Sequence, residues 1–154
     1  MIQRDQTTRV YGAEAICGLK QNNEQFTLKQ AQKFVNRVLD RKYIKKNYGS
    51  YRIIVRDGRG YKRANASWRD GYRVINLPKW ARNEFVILHE IAHHLDTSRL
   101  THGALFATVH LDLIRNVMGK ESADKLQGAY AYKGVRLVNG KGKWTKARCP
   151  QSRR

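Results

Sequence analysis

The residues with the clearest potential for chemistry lie between positions 89 and 103, where the sequence reads HEIAHHLDTSRLTHG. Four of the five histidines of this 154-residue chain fall in that stretch. His89 and His93 are four positions apart, so on a helix they share one face, with Cβ atoms roughly 6 Å apart. Two imidazoles at that spacing can bind one ion at about 2.0–2.1 Å from each nitrogen. The spacing therefore predicts a metal site on a helix.

Glu90 follows the first of these histidines and is offset from their face of the helix. Its carboxylate would flank the ion rather than bind it. There it could accept a proton from an attacking water molecule, which is the chemistry of the HExxH motif in zinc proteases. The motif therefore predicts Glu90 as the catalytic base.

A third metal ligand is needed, because catalytic zinc sites usually have three protein ligands. His102 is the leading candidate, but a continuous helix would carry it about 13 Å along the axis from His93. Residues 96–98 offer a place for the helix to end, so that the chain can fold back. Gly103 would then allow either a close backbone approach or an unusual dihedral angle at the start of the next helix. The sequence thus predicts a break between two helices.

The other histidines and two acidic residues have weaker claims. His94 points about 100° away from its neighbour on the helix and is expected to be a bystander. His110 would lie about 12 Å from His102 if one helix carried both, too far to share an ion. Asp96 and Asp112 could accept hydrogen bonds from ligand imidazoles, or could simply be solvated on a helix surface.

The elements that must position these residues are indicated by apolar periodicity and local end signals. Thr27 and Gln30 form a capping box, Asp70-Gly71 is typical of a tight hairpin, and Asn83 is a plausible N-cap. The pattern predicts helices over about 27–46, 83–95, 104–118 and 121–130, and strands over 51–56, 62–68 and 72–77. Both ends of the chain are expected to be loosely structured. The fold class is therefore α+β, with an N-terminal helix, a small antiparallel sheet, the HExxH helix and a following helix.

The charge balance points to a polyanionic partner. The chain has 31 Lys and Arg against 12 Asp and Glu, a net charge of +19 and a pI near 10.4. Such a balance is typical of proteins that bind nucleic acid. No acidic residue occurs from position 125 onward. We therefore expect one domain over 1–134 and a basic tail over 135–154, either solvated or neutralising phosphates.

Several classes are excluded or disfavoured by composition. Cys17 and Cys149 form no CxxC pair, so neither a four-cysteine zinc ribbon nor a disulfide scaffold is supported. No signal-peptide core and no transmembrane-length apolar segment is visible. The sequence predicts a soluble, cytoplasmic protein that is not inserted in a membrane.

The segment HEIAHHLDTSRLTHGALF resembles the core of SprT-like and related minimal gluzincin zinc metallopeptidases. The shared pattern is HExxH, a short loop, then His-Gly with an aromatic residue three positions later, here Phe106. The chain is still more similar to a family of short, uncharacterised metallohydrolases of actinobacteria and their phages, partly through RVYGAE at 9–14. The resemblance implies a zincin-like fold, with zinc bound by His89, His93 and His102 and Glu90 as general base. It also implies that the strand at 72–77 is the sheet edge to which an extended peptide substrate adds.

Three functional hypotheses are compatible with these residues. The first is a zinc metallopeptidase that acts on protein or peptide substrates, with nucleic acid nearby. The alternative is a basic nucleic-acid-binding protein whose metal site is structural or non-catalytic. Structural zinc sites are usually closed and rich in cysteine, which counts against that reading. SprT-like proteases often carry a cysteine zinc ribbon for DNA, which this chain lacks. A metallohydrolase of a non-peptide bond is the third hypothesis.

Overall fold

The structure is a computed structural model that describes residues 5–20, 25–98, 100–139 and 144–150. The fold is α+β, as predicted, and the chain divides into two compact units, Asn23–Leu95 and the pair Met1–Asn22 with Asp96–Arg154. In chain order the elements are α1 (Thr7–Ile16), α2 (Leu28–Leu39), α3 (Lys42–Tyr48), β1 (Ile53–Asp57), β2 (Asn65–Arg69), β3 (Tyr72–Leu77), a 3-10 turn (Lys79–Ala81), α4 (Glu84–Leu95), α5 (Ala104–Met118), α6 (Lys120–Lys133), β4 (Arg136–Val138) and β5 (Trp144–Lys146).

The unit at 23–95, hereafter the sheet unit, contains a three-stranded sheet in the order β1-β3-β2. Strands β2 and β3 are antiparallel and are joined by Asp70-Gly71. Both turn residues have positive φ, 52° and 80°, as the tight hairpin requires. Strand β1, however, pairs in parallel with β3. The prediction of an antiparallel sheet is therefore wrong, and the sheet is mixed.

Gly58 shows how the chain achieves the parallel pairing. After β1 the chain crosses the end of β3, and the Gly58 amide donates a hydrogen bond to the Leu77 carbonyl at 3.0 Å. A Cβ at position 58 would lie 2.4 Å from the backbone nitrogen of Pro78. Only a residue without a side chain fits there.

The pairing also changes which strand is available to a partner. β3 is the central strand, with β1 on one side and β2 on the other. The expectation that 72–77 forms the free sheet edge is therefore wrong, because both of its edges are paired. In this sheet β1 and β2 are the outer strands.

The predicted helix over 27–46 is two helices. Its capping box is confirmed: the Gln30 amide donates to Thr27 Oγ1 at 3.1 Å, and the Thr27 amide donates to Gln30 Oε1 at 2.8 Å. Arg41 is extended, with ψ 134°, and separates α2 from α3. The break has a packing reason. Ile44 lies off the apolar stripe that ends at Leu39, and the turn allows its side chain to be fully buried.

The other unit, hereafter the helical unit, contains α1, α5 and α6 and the antiparallel pair β4–β5. Helix α1 was not predicted, since the N-terminus was expected to be loose. Its buried face combines Val10 and Ala13 with a carboxylate, Glu14 at 1% exposure, which hides the apolar pattern. Helix α5 has the predicted bounds and ends at Gly119, with φ 95°.

The two short strands of the helical unit fall in the segment that was expected to be a tail. The division at 134/135 stays a prediction. In the described part of the chain, no helix has both the length and the apolar character needed to span a bilayer.

Candidate metal centre

Helix α4 carries the HExxH motif through the interior of the sheet unit. Its start is fixed by Asn83, whose Oδ1 accepts a hydrogen bond from the Val86 amide at 3.0 Å. Most of its side chains are buried, and His89 and Glu90 are each only 4% exposed. Two ionisable groups on such an apolar helix are costly to bury, so their environment must compensate them.

The His89 and His93 rings converge as the four-residue spacing predicts. Their Nε2 atoms lie 3.2 Å apart, with ring planes at 67°. Two nitrogens bound to one tetrahedral ion at 2.0–2.1 Å would be roughly 3.3–3.4 Å apart. The observed separation is therefore close to what a shared ion requires. It also permits one ring to donate an N–H to the other.

Helix α4 ends at Leu95 and α5 begins at Ala104, so the predicted break is confirmed. Asp96 stabilises the turn, since its two carboxylate oxygens accept from the Ser98 amide at 2.8 Å and the Ser98 hydroxyl at 3.0 Å. Burial raises the pKa of Asp96, against the opposing effect of those two hydrogen bonds. The carboxylate of Asp96 therefore stabilises the loop that follows α4.

Gly103 marks the entry to α5 by a close approach rather than by an unusual dihedral. Its φ of −77° is ordinary. A Cβ there would lie 2.9 Å from Leu100 Cδ1 and 3.0 Å from Leu100 Cβ. The glycine thus lets the loop pack tightly beside His102.

His102 is 2% exposed and is held by residues just before and at the start of α1. Its amide donates to Asp5 Oδ1 at 2.9 Å, and its carbonyl accepts from the Gln6 amide at 3.1 Å. Its Nδ1 lies 3.0 Å from Thr7 Oγ1. The ring of Phe106 meets the imidazole edge-on at a centroid distance of 4.8 Å. These three N-terminal residues were not predicted, since nothing local in the sequence links positions 5–7 to position 102.

Each unit contributes side chains that could bind a metal ion. In the sheet unit, the Nε2 atoms of His89 and His93 are placed to share one ion, and imidazole nitrogens fit a divalent transition metal such as zinc. In the helical unit, His110 lies beside the Glu14 carboxylate, and an imidazole with a carboxylate is also a suitable ligand pair. No local sequence pattern predicted the pairing of Glu14 with His110.

Glu14 belongs to a buried polar cluster in the helical unit. Its Oε1 lies 3.5 Å from His110 Nδ1, and its Oε2 lies 3.5 Å from Lys20 Nζ. His110 Nδ1 also lies 3.1 Å from the Tyr130 hydroxyl. Burial raises the pKa of Glu14, while His110 and then Lys20 act in the opposite direction. This cluster could not be predicted from the sequence, because Glu14 lies on α1, a helix that the apolar periodicity did not indicate.

His94 faces the sheet instead of the other histidines. Its Nε2 lies 2.9 Å from the Val74 carbonyl, so that nitrogen carries a proton and donates it. The ring also meets Trp68 edge-on, at a centroid distance of 6.2 Å. Burial lowers the pKa of His94, and the bond to Val74 opposes that effect. This contact gives His94 a packing role on α4.

At the Asp5 carboxyl, burial acts to raise the pKa, but hydrogen bonds from Thr7 and His102 prevail and lower it. The carboxylate beside His102 is thus ionised at neutral pH.

No family model matches the chain, and neither a curated protein nor a solved structure matches it. The similarity to SprT-like metallopeptidases therefore rests on the motif and stays a prediction.

Proposed function

We propose that this protein is a zinc-dependent metallopeptidase. The observation that carries the proposal is the 3.2 Å separation of the His89 and His93 Nε2 atoms on a buried helix that also carries Glu90. His89, His93 and His102 would bind the ion through neutral imidazoles. When bound, zinc supplies a Lewis acid that polarises the scissile carbonyl and lowers the pKa of a water molecule.

Glu90 is the proposed general base. Its carboxylate accepts a proton from the attacking water and passes it to the leaving amine nitrogen. Its side chain is only 4% exposed, so bulk water is largely kept away from the carboxylate. A water-poor site also protects the proton from exchange with solvent.

Strand β2 is the proposed docking edge for an extended peptide. It is an outer strand of the sheet, and its Trp68 contacts His94 on α4. A substrate strand added to β2 would gain main-chain hydrogen bonds and would run beside the helix that carries Glu90. This assignment replaces β3, whose two edges are already paired.

A single substitution with a matched control tests the proposed reaction. Glu90→Gln preserves size and removes the base, and Glu84→Gln makes the same change in the first turn of the same helix. With zinc-loaded proteins on a broad peptide library, we expect Glu84→Gln to cleave like the wild type. Glu90→Gln should bind zinc normally and lose roughly 10²- to 10⁴-fold in rate. Equal cleavage by both variants would refute the role of Glu90.

A second candidate function is supported by the exposed aromatic side chains of the sheet unit, which include Trp68 of the same outer strand. The Arg73 guanidinium lies 4.2 Å from the Tyr51 ring centroid and 4.4 Å from that of Trp68. Trp68 is 63% exposed and Tyr72 is 56% exposed. Exposed aromatic rings among arginines are the platform on which single-stranded nucleic acid stacks its bases, and the charge of +19 would attract the phosphates.

The stacking surface can be tested without the metal. Trp68→Ala should weaken binding of a fluorescent single-stranded oligonucleotide by roughly 1–3 kcal/mol, or about 5- to 150-fold. Tyr132→Ala, at an 80% exposed aromatic residue of α6, serves as the control and should bind like the wild type. Equal affinity of the Trp68 variant and the control would dismiss this surface. Tight binding with no peptide cleavage by the wild type would favour the nucleic-acid function over the peptidase.

A further inference from the structure

We propose that Asp5 and Thr7 form a hydrogen-bond relay that fixes the tautomer of His102 and makes Nε2 its metal-binding atom. The inference builds on the proposed metal site, and it assigns positioning roles to two residues remote from the HExxH motif in sequence.

The direction of each hydrogen bond follows from the number of protons available. Thr7 Oγ1 lies 2.7 Å from Asp5 Oδ2 and 3.0 Å from His102 Nδ1. A threonine hydroxyl has one hydrogen, and an ionised carboxylate has none. Thr7 must therefore donate to Asp5, and its oxygen must accept from His102. In the neutral imidazole the proton is then on Nδ1, and Nε2 carries the lone pair.

Both ends of the relay are held in place. The second oxygen of Asp5, Oδ1, accepts the His102 amide at 2.9 Å, so the carboxylate cannot rotate without breaking two bonds. Gln6, between the relay residues, donates its own amide to the His102 carbonyl at 3.1 Å. Its side-chain amide donates to the Arg136 carbonyl and accepts from the Arg136 amide, each at 2.9 Å, which ties this segment to β4.

The imidazole itself is also restrained. The rings of Tyr11 and Phe106 pack against it at centroid distances of 4.9 Å and 4.8 Å. An imidazole whose orientation and tautomer are already fixed loses little conformational entropy when it binds an ion. Histidines that bind metals almost always donate their other N–H in this way, and loss of that partner typically weakens metal binding 10- to 100-fold.

Two substitutions separate a relay from simple packing. Thr7→Val keeps the shape of the side chain and removes the hydroxyl that accepts from Nδ1. Asp5→Asn keeps every contact but reverses the proton order. Its Oδ1 still accepts the His102 amide, so its NH₂ group faces Thr7 and donates. Thr7 must then donate to Nδ1, which forces the imidazole proton onto Nε2, the atom that should bind the metal.

The test measures the tautomer and the zinc affinity separately. Two-dimensional proton–nitrogen NMR of metal-free, ¹⁵N-labelled protein reports which ring nitrogen of His102 is protonated. Competition with a chromogenic chelator gives the zinc Kd. We expect Nδ1–H in the wild type, Nε2–H in Asp5→Asn, and a zinc Kd weaker by about 10- to 100-fold in both Asp5→Asn and Thr7→Val.

The controls are Thr8→Val, at the exposed neighbouring threonine, and Thr7→Ser, which restores the hydroxyl. Both should match the wild type. An unchanged tautomer in Asp5→Asn, or wild-type zinc affinity in Thr7→Val, would overturn the relay. Because neither measurement uses a substrate, a confirmed relay in a protein that cleaves no peptide would refute the peptidase and leave the relay standing.

Discussion

His93 and His94 are adjacent in sequence but have different partners, which makes them a direct test of the metal site. His93 Nε2 lies 3.2 Å from His89 Nε2, whereas His94 Nε2 donates to the Val74 carbonyl at 2.9 Å. Replacing each by alanine removes one imidazole from the same turn of α4. Only the His93 substitution should remove a metal ligand.

The expected loss of zinc affinity can be estimated from the contribution of one ligand to the free energy of zinc binding. Four-ligand structural zinc sites bind with about 10–16 kcal/mol, so one ligand contributes on the order of 2.5–4 kcal/mol. His93→Ala should therefore weaken the zinc Kd roughly 50- to 1,000-fold. His94→Ala should leave the zinc Kd unchanged and should lower the free energy of unfolding by about 0.5–1.5 kcal/mol, through loss of its hydrogen bond.

Two assays on the same preparations separate these effects. Chelator competition gives the zinc Kd, and urea denaturation of the metal-free protein gives the free energy of unfolding. Equal loss of zinc affinity in both variants, or wild-type zinc affinity in His93→Ala, would exclude His93 as a specific metal ligand.

Two further predictions concern the framework. Gly58→Ala should lower the free energy of unfolding by at least about 2 kcal/mol, because the new Cβ would lie 2.4 Å from the Pro78 backbone. Gly128→Ala, at a position in open space on α6, should instead raise the free energy of unfolding by roughly 0.5–1 kcal/mol. Similar urea midpoints for the two variants would contradict this prediction. Burial and nearby negative charge raise the pKa of the Tyr130 phenol. In alkaline solution the folded state therefore keeps a proton that the unfolded state loses, so the free energy of unfolding should fall as the pH rises above about 10. Tyr130→Phe should reduce that slope by up to about 1.4 kcal/mol per pH unit, and the exposed Tyr132→Phe should not; equal slopes in alkaline urea titrations would contradict the assignment.

The parts of the fold that could be predicted depend on signals close together in sequence. Asn83 caps α4, Gly119 ends α5, and Asp70-Gly71 turns β2 into β3. Each is a backbone requirement met by a residue at the site itself. The parallel pairing of β1 could not be read in this way, because the choice between a parallel and an antiparallel partner depends on where the chain crosses after Gly58.

The residues of the candidate site also divide into those that nearby sequence predicts and those that depend on distant parts of the chain. The convergence of His89 and His93 follows from helical geometry alone, and the structure places their nitrogens accordingly. The surroundings of His102 could not be predicted, because Thr7 contacts it across 95 residues of sequence. Glu14 escaped notice for a related reason, since a buried carboxylate breaks the apolar pattern by which a helix such as α1 is recognised.

The most direct test of the proposed zinc site is anomalous diffraction at the zinc absorption edge from crystals of the zinc-loaded protein. The proposed metal site predicts one strong peak at about 2.0–2.1 Å from a ring nitrogen of each of His89, His93 and His102, with Nε2 as the atom on His102. A peak bound instead by Glu14 and His110, or no bound zinc at all, would contradict it.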